Sequence, residues 1–129
     1  MKVKTAELSS WALDWAVATA TGLTVILSVG EVWKHFTEDE LHEGEESGLY
    51  SYRPSIDWVQ CGHLIEQFNL NVSSPFFGCE AWANVQTGSF AGSKSWKGRT
   101  CQEAICRAVV ASKLGDEVDI PDELMERQQ

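Results

Sequence analysis

Three kinds of residue in this chain could do chemistry, beginning with its thiols and histidines. Cys61-Gly-His63 together with Cys101 and Cys106 offers soft ligands for a metal ion. The spacing is wrong for it: no Cys-x-x-Cys pair exists, and a five-residue step turns two helical thiols about 140° apart. Buried small hydrophobes and a solvated histidine fit these positions better, so no metal is expected. Nucleophilic catalysis has no more support. The sequence lacks a Gly-x-Ser-x-Gly elbow, and His35 and His42 sit in or beside an acidic stretch, which leaves His63 as the sole candidate base. A non-enzyme without a cofactor is the expectation.

Anion binding is the second chemistry. Gly92-Ser-Lys-Ser-Trp-Lys-Gly98-Arg-Thr100 has one residue too many between its glycines for a nucleotide-hydrolase loop, and Arg-Thr stands where Lys-Ser/Thr belongs. It does lead into a capped helix, whose free amides and positive dipole end suit an anion. A solvated connector is the plainer alternative. The third chemistry is aromatic stacking. Trp82 lies in an alternating strand and reads as core, whereas Trp96, among Ser, Lys and Gly, has no apolar run to bury it and is free to stack on a base or a partner.

Charge narrows the partners. Of the nineteen carboxylates, six lie between Glu38 and Glu46 and six between Asp116 and Glu126, while between Leu49 and Lys113 six cations face four acids. The net charge of −9 repels phosphates, so direct nucleic-acid binding is not expected. Six Trp in 129 residues is a high number, which places some indole surface outside the core. No run approaches the roughly 18 apolar residues of a membrane span, and the four cysteines match no disulfide scaffold, so four free thiols are expected.

The elements that must position these residues follow from periodicity. The chain reads as a single domain, residues 1–129, with an acidic insertion at 37–48 and an acidic tail at 116–129. Leu13, Val17 and Ala20 recur at helical spacing over 10–21, ahead of Gly22 at the C′ position. Residues 23–29 form a β-branched strand, with 32–36 as its return. Arg53-Pro54-Ser55 places an N-cap serine before a helix in which Trp58, Ile65 and Phe68 share a face; its interior Gly62 implies that another backbone packs closely there, or a kink. From Leu70 to Gly98 the period falls to two, with Ala81 to Thr87 and Ser89 to Ala91 divided by Gly88, as in a hairpin or meander. Thr100-Cys-Gln-Glu103 is a capping box that opens a third helix, buried through Ala104, Ile105, Ala108 and Val109 and ending at Gly115. Val118, Ile120 and Leu124 equip part of the tail to dock on the body.

Lys4-Thr-Ala-Glu-Leu-Ser9, Ala12-Leu-Asp-Trp-Ala-Val-Ala18, Arg53-Pro-Ser-Ile-Asp-Trp58 and the stretch from Ala111 to Leu124 together resemble the NinX family of tailed temperate phages. Glu103-Ala-Ile-Cys-Arg-Ala108 is similar to the closing helix of a broader group of small phage proteins with a helix-sheet-helix sandwich. The resemblance implies an α+β fold, a small antiparallel sheet packed with about three helices, and an accessory phage protein acting in the host bacterial cytoplasm. It supplies no catalytic residues. Residues 23–48 have no counterpart in it, and the strands after Val72 match only loosely.

These readings combine into one expectation: a non-enzymatic protein that sequesters a small anionic, nucleotide-like ligand, as phage proteins that sequester host immune signals do. Arg53, Lys94, Lys97 and Arg99 would clamp its phosphates, and the indoles of Trp58 and Trp96 would stack its base. The alternative is an interaction module or acidic mimic that engages a host or phage protein through its acidic segments. A homo-oligomer stays open in either case.

Overall fold

The computed structural model describes residues 1–28, 30–35, 49–73, 79–83 and 95–125. The acidic insertion at 37–48, Lys94, the strand residues expected beyond 83, and positions 126–129 lie outside the described residues, as does the side chain of Trp82. Along the chain run β1 (Lys2–Lys4), a 3-10 turn (Thr5–Glu7), α1 (Ser10–Thr21), β2 (Ile26–Ser28), β3 (Glu31–His35), β4 (Leu49–Ser51) and α2 (Trp58–Gln67). They are followed by β5 (Leu70–Ser73), β6 (Cys79–Ala83), β7 (Trp96–Gly98), α3 (Cys101–Leu114), β8 (Glu117–Asp119) and α4 (Asp122–Met125). The class is α+β, as expected, but the described strands divide among three small antiparallel sheets: β1-β8, β2-β3-β4 and β5-β6-β7.

α3 is the centre of the packing. Ala104, Ile105, Cys106, Ala108, Val109 and Val110 are all buried, because this helix meets α1 and α2 as well as the β5-β6-β7 sheet. A helix covered on several sides needs apolar residues around most of its circumference. α1 packs on it, buries Leu13, Ala16 and Val17, and stops at Gly22, whose φ of 78° closes the helix in the left-handed region that glycine adopts without steric cost. Arg107 fastens this arrangement. Its guanidinium donates to the Leu8 carbonyl from Nε (3.1 Å) and Nη2 (2.9 Å) and to the Lys97 carbonyl from Nη1 (2.8 Å), and it pairs with Glu103 one turn back at 3.1 Å.

The end of the chain is part of the body. β8 pairs with β1 in the register Val3↔Val118, and Val118, Ile120 and Leu124 are buried. Thr5 adds a hydroxyl bond to the Gly115 carbonyl at 2.6 Å. The apolar residues at alternate positions after Gly115 thus decide the fate of this segment in spite of its carboxylates, which alternate outward.

Two local readings change. Ser55 does not cap α2; Asp57 does, its carboxylate accepting from the amides of Val59 (2.9 Å) and Gln60 (3.4 Å). The four-thiol expectation also fails, for Cys79 and Cys101 form a disulfide with a Cα–Cα distance of 5.0 Å, leaving Cys61 and Cys106 as free, buried thiols. Topology explains it: β6 sets Cys79 opposite Gly98, and three residues later the chain turns back over β6 at the first residue of α3. Spacing along the sequence carries no trace of this.

Candidate functional site

The six candidate residues fall into separate surroundings. Arg53 belongs to a buried network. Asp14, fully buried on α1, accepts hydrogen bonds from the Ser55 amide (2.8 Å), the Ser55 hydroxyl (2.9 Å) and Arg53 Nε (3.1 Å). The Arg53 guanidinium also reaches Ser10 Oγ at 3.4 Å and lies 4.0 Å from the centre of the Trp11 ring. Burial pushes the Asp14 carboxyl up to about 6, against the lowering effect of the Ser55 bonds and of Arg53. Arg53 is thus occupied in holding the 53–57 turn on α1. The Gln60 side chain secures the same turn by accepting from the Arg53 amide at 2.6 Å and donating to the Ser51 carbonyl at 3.0 Å.

Trp96 is buried, at 7% exposure, where β7 pairs Ala81 with it and α3 packs alongside. The expectation of a solvated indole in a connector fails for this reason: residues 96–98 are a strand, and a strand beneath a helix has an inner face. Lys97 and Arg99 are 80% and 82% exposed, yet each lies beside a carboxylate, Lys97 at 3.8 Å from Glu80 and Arg99 at 3.5 Å from Glu103. The start of α3 is likewise served from within, since Thr100 Oγ accepts from the Glu103 amide (3.1 Å) and Glu103 Oε1 from the Arg99 amide (3.2 Å). Among the described residues the basic loop therefore forms a self-neutralised helix cap. Lys94 lies outside them.

Among the described tryptophans Trp58 is the exposed one, at 53%, instead of joining Ile65 and Phe68 on the inner face of α2. It stands between Ile56 (61% exposed) and Val59 (75%). The two helix starts converge here, because Gln102 in the first turn of α3 reaches the Ile56 carbonyl at 3.5 Å. Trp58 and Arg99 are consequently on neighbouring helix starts, and Arg53 belongs to the turn that leads into α2, its side chain directed to α1. An open groove of about 500 Å³ lies at the far ends of the helices, lined among others by Thr21, Phe68, Asn69, Ser112 and Lys113, and contains none of the candidates.

Asp14 was missed by the sequence reading although it left a signal: one carboxylate inside the apolar run Ala12 to Ala18. Ile56 and Val59 had none, since only the orientation of α2 leaves them uncovered. Cys61 and Cys106 face each other in the core, where burial and the adjacent Cys61 thiol push Cys106 well above its ordinary value. The described residues contain no group of His, Cys, Asp or Glu able to hold a metal ion, and no described helix is long and apolar enough to cross a membrane.

Fold and surface together define a small α+β protein with a capped, charge-paired interior edge and an uncovered apolar helix start. The family described as Bacteriophage P22, NinX, matches residues 4–113, and the chain belongs to this family of phage proteins. No curated protein shows a significant match.

Proposed function

We propose that the protein is a non-enzymatic phage accessory protein that works in the host cytoplasm by docking a partner protein on the start of α2. The observation that carries this reading is the contiguous exposure of Ile56, Trp58 and Val59. Monomeric proteins rarely leave adjoining large apolar side chains in water without a use, and Trp is the residue type most enriched among interface anchors. The acidic segments of the chain add long-range steering toward a basic partner.

Capture of a small anionic, nucleotide-like ligand, such as a host immune signal, is the second reading, favoured by the adjacency of Trp58 to the exposed Arg99. It ranks second because the capping side chains already use amides at both helix starts, and because Glu103 already holds Arg99. The test is capture from a lysate of phage-infected cells on immobilised wild type, Trp58→Ser and Arg99→Ala, with proteins and heat-released small molecules identified by mass spectrometry. A protein retained by wild type and Arg99→Ala but lost by Trp58→Ser is expected. A nucleotide-like molecule whose affinity falls about tenfold in Arg99→Ala, the loss of one charge-assisted bond, would establish the second reading instead. Identical recovery on all three proteins defeats both.

A further inference from the structure

Gly62 lies in the middle of α2, where glycine is the poorest helix former after proline. No described residue calls for it. A Cβ added there would meet no described atom within 4 Å, and Gly62 is not among the positive-φ glycines, so alanine would fit without strain. An interior glycine implies a close backbone or a kink, and no described element of the chain supplies the backbone. The open position adjoins the apolar patch. Val59, Gly62, His63 and Glu66 fall within about 100° of one another around the helix axis, on the side opposite the buried Cys61 and Leu64. Val59, His63 and Glu66 are exposed.

Charge identifies what would cover this face. Its far end carries the exposed Glu66, and the exposed Asp57 caps the start of the helix beside Ile56 and Trp58. Of the described cations, Arg53 pairs with Asp14, Lys97 with Glu80 and Arg99 with Glu103, and Lys113 lies over the Phe68 ring at the end of α2. A face with an apolar start and a carboxylate at its far end, on a chain of net charge −9, disfavours a second copy of itself and attracts a basic segment. A side-chain-free position on a helix admits the ridge of another helix at short interaxial distance, with an apolar stripe at i, i+3, i+4 and i+7 to meet Ile56, Trp58 and Val59.

We infer that the occupant is a basic amphipathic helix of a partner protein, crossing α2 with its closest approach at Gly62. This rests on the docking reading above and adds the partner's chemistry and register. The probe is a displayed library of random 18-residue peptides selected on wild type and then challenged with Gly62→Ala, Gly62→Leu and Glu66→Lys. Circular dichroism confirms that each variant is folded. Gly62→Ala should raise Tm, since it removes only a helix penalty, and Gly62→Leu should abolish enrichment while remaining folded. Enriched peptides should be net positive with helical apolar spacing, and Glu66→Lys should weaken them at least tenfold. A lower Tm in Gly62→Ala would assign the glycine an internal role and overturn the inference. So would peptides that are acidic, patternless, absent or indifferent to Gly62→Leu, or a wild-type dimer in sedimentation that Gly62→Leu dissociates. If Trp58→Ser loses its partner in the lysate while Gly62→Leu keeps it, docking stands and the crossing at Gly62 falls; if neither variant loses it, both fall.

Discussion

Asp14 provides a measurement in which burial and ion pairing predict opposite signs. Its carboxyl titrates near 3.8 in the unfolded chain and at about 6 in the folded one. A group whose pKa is raised by folding contributes stability that is fully present below its unfolded value and is lost as pH rises through its folded value. From one carboxyl moving between 3.8 and about 6, the change amounts to about 3 kcal/mol. Asp14 is fully buried, so solvent screening does not diminish it. Asp14→Asn keeps the shape and removes the titration. Urea unfolding followed by tryptophan fluorescence, at intervals from pH 4 to 7.5, then gives the difference between the two proteins free of all other titrating groups they share. Wild type should gain on the variant as pH falls from 7.5 to 4, by up to about 3 kcal/mol. If wild type instead loses ground on acidification, Arg53 and Ser55 hold the carboxylate ionised and the ranking of burial over pairing is wrong. A difference that does not vary with pH would mean that Asp14 is solvated.

Two further predictions test the packing around the start of α3. Titration of thiols in denaturant without reductant should find two, and Cys79→Ser should lower stability by about 3 kcal/mol in chemical denaturation, the chain-entropy value for a bridge across 22 residues. Gly98→Ala should destabilise by roughly 1 to 3 kcal/mol or more, visible as a lower Tm, because the new Cβ would stand 2.5 Å from the Ala104 amide nitrogen and 2.9 Å from the Glu103 carbonyl carbon.

Local signals carried well from sequence to structure where the neighbours along the chain decide the outcome. α1 ends at Gly22, Thr100 and Glu103 make the cap of α3, and the alternation of Val118 and Ile120 seats the tail. The failures share a physical origin in contacts between distant segments. Ser55 was expected to cap a helix and is drawn away by Asp14, 41 residues earlier. Cys79 and Cys101 meet only because of the β6-β7 register. Trp96 looked solvated because its neighbours are polar, but a strand shows one face to the core whatever its other face carries. For the same reason the candidate site was legible in residue types more than in position. Trp58 and Arg99 do lie on converging helix starts, whereas Arg53 and Trp96 are committed to the interior.

The central place of α3 has a consequence for how the chain is made. α1 finds its principal partner in a helix that begins at residue 101, and Arg107 must reach back to the carbonyl of Leu8. A nascent chain emerging from the ribosome therefore displays the apolar stripe of α1 for most of its synthesis, with the segment that covers it still untranslated. Contacts this distant in sequence form late and together. Folding of this body waits until α3 has been made, and a premature stop anywhere before residue 114 yields a polypeptide with a sticky helix and nothing to sheathe it, material for chaperones and proteases.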